Sequence, residues 1–306
     1  MKDVVSAIGY RRLPTRARRW APWPIARTAL ALALRKRASK FALMACAFVV
    51  FLHGTTIIGQ VFVGRMLEQE RSGDLTGAIV ASTISQAIGQ VHATLSTFLG
   101  VQLHATAVLL GVVAAGLIAE DRRTRAFELY FSRPLRPLDY VIGKGLVALL
   151  VPTVTIVVPF VLLLLFAIGI APDSLAGELW PLLLPGLLGA CACALLLATT
   201  ILGASAVGER GRTVGVAYVL GLATIGAFAD GMADNGSPWA GYFGPLRDVQ
   251  TVVDALLQAG SPGLFSMLDV RASTNDSAWL SALALLLMMA LGAGAVWYRM
   301  RKELRG

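Results

Sequence analysis

Residues 120–144 read EDRRTRAFELYFSRPLRPLDYVIGK, a charged, proline-broken stretch set between two runs long enough to cross a bilayer. Before it, residues 75–119 carry no formal charge, and after it residues 145–170 carry none for 26 positions. A spanning helix needs about 20 mainly apolar residues. The stretch therefore lies outside the hydrocarbon, with one membrane helix entering it and another leaving.

The composition agrees with that reading. The 306 residues are 56% hydrophobic and only 15% charged, with mean hydropathy +0.69; a soluble domain carries about 25% charged residues. We expect an all-α integral membrane protein, one bundle of six transmembrane helices with little chain left for a soluble domain. The apolar run from Phe41 starts too late and runs too long for the core of a secretory signal. Cys46, Cys191 and Cys193 all fall in apolar runs, as small packing residues do, and no spacing supports a disulfide or metal site. A net charge of +9 in so apolar a chain is read as topology information rather than as a nucleic-acid footprint.

In chain order, residues 1–40 form a basic N-terminal region with eleven Lys/Arg and one acid, Asp3. Within it, residues 20–34 mix Trp, Pro, Ile and Leu around Arg27, as an interfacial helix does, with Ile25, Ala29, Leu32 and Ala33 able to share a face. The alternative is a disordered basic tail held near anionic lipid. Residues 41–298 are expected to hold the six spans. Span 1 is 41–63, with His53 at its middle. Residues 75–90, rich in Ser, Thr, Gln and Gly, lead into span 2 at 93–119. Span 3, 140–170, contains Pro152 and Pro159, each removing a backbone donor, so a bent helix is expected. Span 4 lies within 179–208, with Pro181 and Pro185 near its start and Gly186, Gly189, Ala190, Ala192 and Ala194 for close packing. Span 5 has an apolar length of 17, residues 213–229, and span 6 is 278–298. Between them, residues 230–277 carry six acids and two arginines. Their middle, 245–265, reads as one or two short helices near the outer membrane surface, able to dip back in. A basic tail, 299–306, closes the chain.

Charge decides the orientation expected. With six spans both termini share a side, and that side receives 23 of the 27 Lys/Arg against 7 of the 18 acids. The positive-inside rule then places both termini in the cytoplasm and residues 230–277 outside. A five-span arrangement would put one basic terminus on the wrong face.

Catalytic patterns are missing from the sequence: no paired carboxylates, no Ser/His/Asp set, no HExxH and no GxxxxGK[ST]. The chain is not expected to be an enzyme by itself or to bind a cofactor. His53, His92 and His104 have no carboxylate or cysteine at ligand spacing and read as packing residues. Asn235-Gly236-Ser237 is an acceptor sequon only in a cell that glycosylates. The absence of Asp, Glu, Lys and Arg from the middle of every span argues against ion or proton coupling; if the protein moves something, the free energy is expected from a partner.

At residues 120–144 the chain resembles the permease subunits of ABC transporters of the ABC-2 class, whose recurrent pattern there is approximately E-x-x-x-G-T-x-E-x-x-x-x-x-P-x-x-R/P-x-x-Y-x-x-G-K. Glu128, Pro134, Pro137, Tyr140, Gly143 and Lys144 match it, and Asp121 stands at its first acidic position. Arg125-Ala126 departs from the Gly-Thr of the family. The resemblance implies six spans with cytoplasmic termini in a prokaryotic cytoplasmic membrane. It also implies a coupling segment that docks on separate cytoplasmic ABC ATPase subunits, which hold ATP and Mg, and a second permease copy or homologue. Members handle drugs, lipids, polysaccharides and other cargo and hydrolyse nothing themselves; export of a hydrophobic, amphipathic or lipid-linked substrate is the function expected here. The segment's candidate docking residues are Glu120, Asp121, Arg122, Arg123, Arg125, Phe127, Glu128, Phe131, Arg133 and Pro134, with Tyr140 and Lys144 as interface anchors.

The residues themselves suit that role. Charges of both signs surround Phe127 and Phe131, one helical turn apart, which is a shell and an apolar face fit for a soluble partner. The competing reading is a solvated loop whose two phenylalanines pack on the membrane face. A membrane-anchoring or signalling subunit of an ATPase complex, with no transport, is the alternative function.

Overall fold

The computed structural model describes residues 22–70, 77–124, 126, 137–259 and 274–305. Among the described residues the regular structure is helical throughout, and six helices are long and apolar enough to cross a membrane: Arg37–Met66, Gly89–Arg123, Leu138–Ile170, Leu175–Val207, Gly211–Asp234 and Ala278–Lys302. The protein is thus an all-α, multi-pass membrane protein. Arg37, Arg123, Pro137 and Gly211 gather at one end of the bundle, termed the basic end, and Asp173, Asp230 and Asp234 at the other, the acidic end.

Helix α1 (Pro22–Leu34) precedes the first span. It lies along the start of span 3, where a Cβ on Gly143 would come within 3.0 Å of the Pro22 carbonyl and 3.1 Å of Ile25. Its inward face is Pro22, Ala26 and Ala33, all buried. The expected face is corrected at one position: Leu32 is 65% exposed, because Ala26 and Ala33, seven residues apart, define the stripe and Leu32 falls about 100° from Ala33. Helix α2 (Arg37–Glu70) is span 1 and extends past the expected limits at both ends.

Span 2 begins earlier than its apolar run suggests, since α3 (Gly77–Val113) takes in the polar lead-in. It breaks at Ala114–Ala115, where Ala115 donates five residues back to Leu110 at 3.2 Å, and resumes as α4 (Gly116–Arg123). The break lies where spans 2 and 5 touch backbone to backbone: a Cβ on Gly211 would sit 2.7 Å from the Gly116 Cα, and one on Gly215 would collide with the Gly111 carbonyl.

Span 3 carries its irregularity between its two prolines. Helix α5 (Pro137–Pro152) passes into a π turn, Thr153–Val157, and then into α6 (Val158–Ile170). Pro159 has no N–H to give to the carbonyl four residues earlier, that of Thr155. The side-chain amide of Gln102 on span 2 donates to that carbonyl instead, at 2.7 Å, and the Thr106 and Thr155 hydroxyls lie 3.0 Å apart beside it. The irregular backbone is thereby satisfied inside the bundle, as a membrane helix requires.

Span 4 starts with α7 (Asp173–Leu179) and one 3-10 turn, Trp180–Leu182, which absorbs the donors lost at Pro181 and Pro185, before α8 (Leu183–Val207). The small residues expected at its interface are used: Gly186, Gly189, Ala190 and Ala194 are buried, the Phe160 ring lies over Gly186, and Gly203 meets Gly292 of span 6. Span 5, α9 (Gly211–Asp234), continues past Asp230. A 3-10 turn, Pro238–Phe243, and α10 (Pro245–Leu257) precede span 6, α11 (Ala278–Arg305). Cys46 and Cys193 are buried and, like Cys191, free.

Helix α10 re-enters the bundle. Pro245 to Thr251 are all buried, as are Val253 and Leu257, against spans 2, 4 and 6. Gln250 lies over Gly100, at a place where any Cβ would collide with it, and Gly189 faces Val253.

Candidate functional site at the basic end of spans 2 and 3

The break at Ala114–Ala115 leaves the first N–H groups of α4 without partners in their own helix. Ser205 of span 4, fully buried, fills that role: its hydroxyl accepts from the backbone N–H groups of Ile118 at 3.0 Å and Ala119 at 3.2 Å. The short helix is thus pinned at its root before its charged residues begin.

Those residues then diverge, because consecutive side chains on a helix point about 100° apart. Glu120 turns to span 5, its Oε1 accepting from the Gly211 N–H at 3.3 Å while Oε2 takes Arg123 Nε at 2.8 Å. A carboxylate at a helix N-terminus also meets the positive end of the helix dipole. Asp121 turns to span 3: its Oδ2 accepts from the Tyr140 hydroxyl at 2.7 Å and pairs with Lys144 Nζ at 2.8 Å. The Asp121 and Lys144 side chains are only 17% and 7% exposed, and the Lys144 ammonium stands 5.5 Å from the Tyr140 ring centroid. Arg122 turns to span 4, where its Nη1 donates to the carbonyls of Ala206 at 3.1 Å and Gly208 at 3.0 Å. These carbonyls end α8, so a guanidinium sits on the negative end of that helix.

Three consecutive residues of span 2 therefore hold the ends of spans 5, 3 and 4 in turn. Arg123, 58% exposed, reaches no other span among the described residues and pairs back to Glu120, itself 41% exposed. Of the residues singled out in the sequence, Glu120, Asp121, Arg122, Tyr140 and Lys144 are brought together here. Arg125, Phe127, Glu128, Phe131, Arg133 and Pro134 lie outside the described residues. Two partners gave no signal in the sequence: Ser205 is one hydroxyl in an apolar run, and Gly211 contributes only its backbone. Gly143, beside Lys144, provides the gap that admits α1.

A second polar layer lies at the acidic end, around α10. Arg247, its side chain 9% exposed, donates to Asn275 Oδ1 at 2.7 Å, the Thr274 carbonyl at 3.0 Å and Asp230 Oδ1 at 3.1 Å. Asp248, with no exposed surface, takes the Asn275 amide on Oδ1 at 2.8 Å and has no hydrogen-bond partner on Oδ2. Desolvation pushes its carboxyl up to about 7, against the opposing pull of Ser281, Asn275 and the Arg247 charge. One turn further, Gln250 Nε2 donates to Ser96 Oγ and Asp254 Oδ1, both at 2.8 Å, and Ser96 donates to Asp254.

Two of the three histidines bond carbonyls of their own helices, while His92 Nε2 is buried without a hydrogen-bond partner among the described residues. His53 Nδ1 lies 2.9 Å from the Val49 carbonyl with its ring edge-on to Phe98, and His104 Nδ1 lies 2.8 Å from the Gly100 carbonyl. No group of three or more His, Cys, Asp and Glu suited to a metal ion occurs among the described residues. Compared with known proteins, the chain matches no protein-family model and no curated protein.

Proposed function

We propose that the chain is the membrane-spanning permease subunit of an ABC-2-class transporter, exporting a hydrophobic, amphipathic or lipid-linked substrate with energy from separate ATPase subunits. In this reading the basic end faces the cytoplasm, the coupling segment 120–144 docks on the ATPase, and ATP and Mg are held by that partner. A second permease copy or homologue completes the pathway, and the chain performs no catalysis of its own.

The observation that carries the reading is the divergence of Glu120, Asp121 and Arg122 onto spans 5, 3 and 4. A force applied to the segment that follows Arg123 reaches four spans through side chains at most one turn away. That is the mechanical requirement of a coupling element: a small shift at one place must be passed to packed elements that have discrete arrangements. Asp121 and Lys144 transmit most directly, being a nearly dry ion pair between consecutive spans.

The test replaces both Phe127 and Phe131 with Asp. Burying unpaired carboxylates in a docking face costs several kcal/mol, enough to defeat a micromolar interface of about 8 kcal/mol. The ATPase encoded beside or with this chain should no longer co-purify with the double variant, while the bundle still inserts. Retained co-purification with normal substrate-stimulated ATP turnover in liposomes would remove the docking role from these residues. Co-purification of wild type with no substrate movement would favour an anchoring subunit instead.

A further inference from the structure

The backbone contact between spans 2 and 5 leaves a furrow beside it. Gly111, Gly116, Gly211 and Gly215 let the two backbones touch at the crossing, and beside that contact all four glycines line the floor of an open groove. The groove, about 930 Å³, is walled by Val108, Val112, Val216 and Leu220 and rimmed at its basic end by Lys36, Arg37 and Arg212.

Its walls and its rim call for different chemistry. Val108, Val216 and Leu220 are 45%, 62% and 58% exposed, yet all three belong to membrane spans, so the groove opens sideways into hydrocarbon. From Gly211 to Leu220 it descends roughly 13 Å at the helical rise per residue, close to the depth of one leaflet of a core about 30 Å thick.

The rim is positive for two reinforcing reasons. Arg37 is the first residue of α2 and Arg212 the second of α9, and neither helix has an acid in its first turn. Both cations therefore stand at the positive ends of helix dipoles, where anions are favoured and cations are not. All three rim cations are exposed. Among the described residues the rim has one carboxylate, Glu120, which is already shared between the Gly211 N–H and Arg123, so the cations there are in excess.

We propose that this groove is a binding site for an anionic phospholipid drawn from the leaflet at the basic end, with its phosphate among Lys36, Arg37 and Arg212 and an acyl chain along Val108, Val216 and Leu220. A soluble phosphate would use the rim and waste the apolar length. A zwitterionic lipid would fill the furrow and bring its own cation to a rim that already has too many. The site follows from the groove's shape and charge and stands whether or not the chain docks an ATPase.

Native mass spectrometry of the full chain purified in detergent, titrated with phosphatidylglycerol or with phosphatidylcholine of the same acyl chains, tests it. Wild type should retain phosphatidylglycerol more tightly. Each surface cation near a membrane anion is worth about a five-fold change in affinity. Single Lys36→Gln or Arg212→Gln changes should therefore weaken retention about five-fold, and the triple variant with Arg37→Gln roughly a hundred-fold, with phosphatidylcholine unaffected. Val216→Trp keeps every charge and fills the furrow, so it should exclude both lipids while the protein stays monodisperse. Equal retention of the two lipids by wild type, or undiminished phosphatidylglycerol on the triple variant, would overturn the site. So would displacement by inorganic phosphate with Val216→Trp having no effect, which would mean a soluble anion. Loss of a dimer rather than of lipid in Val216→Trp would mean that a second copy occupies the groove.

Discussion

The two ends of the bundle use buried polar groups in opposite ways. At the basic end, three neighbouring residues on one short helix send interactions outward to three other spans. At the acidic end the direction reverses. Residues from spans 2, 5 and 6 and from the segment before span 6 converge on one short helix, α10. A hub that touches each neighbour at one place passes a displacement on. A helix gripped from every side resists displacement. The contrast is between a short helix that reaches outward to its neighbours and one that its neighbours close around.

Arg247→Ala disrupts the acidic end most severely. It removes a nearly dry guanidinium that binds Asp230, Asn275 and the Thr274 carbonyl at once. Removing one partner of a buried ion pair costs about 3–5 kcal/mol, part of which Asp230 recovers by hydration. Thermal unfolding of the detergent-purified protein should show a larger drop in melting temperature for Arg247→Ala than for Asp248→Asn or Asp121→Asn. A change no larger than that of a surface Arg→Ala would show that α10 is not gripped as described.

Asp248 sharpens the same point through pH. Its folded-state carboxyl lies near 7, above the ordinary value of 3.8, because burial disfavours the charge. The folded state therefore binds its proton more tightly than the unfolded state. The stability contributed is fully present below about 4 and is lost as pH rises through 7. Melting temperature should fall across that window, and Asp248→Asn should flatten the fall. A wild-type profile unchanged by Asp248→Asn would show that another group sets the dependence.

Asp121→Asn should produce the smallest stability change, about 1–2 kcal/mol. The amide keeps an oxygen that accepts from both the Tyr140 hydroxyl and the Lys144 ammonium, so a charge-assisted hydrogen bond replaces the ion pair and neither donor is orphaned. Its effect on coupling should be larger than its effect on melting. If the protein couples to an ATPase, turnover should lose its dependence on substrate while assembly persists. A variant that unfolds as readily as Arg247→Ala would erase the distinction between the two ends.

The sequence displays the outline of this molecule well because bilayer thickness imposes it. Runs such as 145–170 have no charge to interrupt them, and a helix must follow. Pro152 and Pro159 likewise announce an irregular span 3, although not that Gln102, more than fifty residues earlier, would satisfy the exposed carbonyl. Charge is harder to read. Glu120, Asp121 and Arg122 look like a solvated run, since neighbouring letters carry no sign of facing three directions. Their partners on other spans lie 19 to 91 residues away. Helix α10 is legible as a short helix able to dip back in, but its polar partners are not. Its Arg247 and Asp248 suggest a wet surface, and only the approach of Asp230 and Asn275 makes burial tolerable. Leu32 shows the smallest such error, one residue of rotation on an otherwise correctly placed helix.

The π turn in span 3 has a consequence for insertion and deletion. Such a turn closes its hydrogen bond over five residues rather than four, as Val158 does to the Thr153 carbonyl, so the span holds one surplus residue at that point. Shortening a regular helix by one residue would swing everything beyond the cut by about 100°, separating Phe160 from Gly186 or Tyr140 from Asp121. Shortening within 153–157 removes the surplus and draws the turn toward ordinary α geometry. Length variation in span 3 is therefore best absorbed beside Thr155, where the chain already carries its spare link.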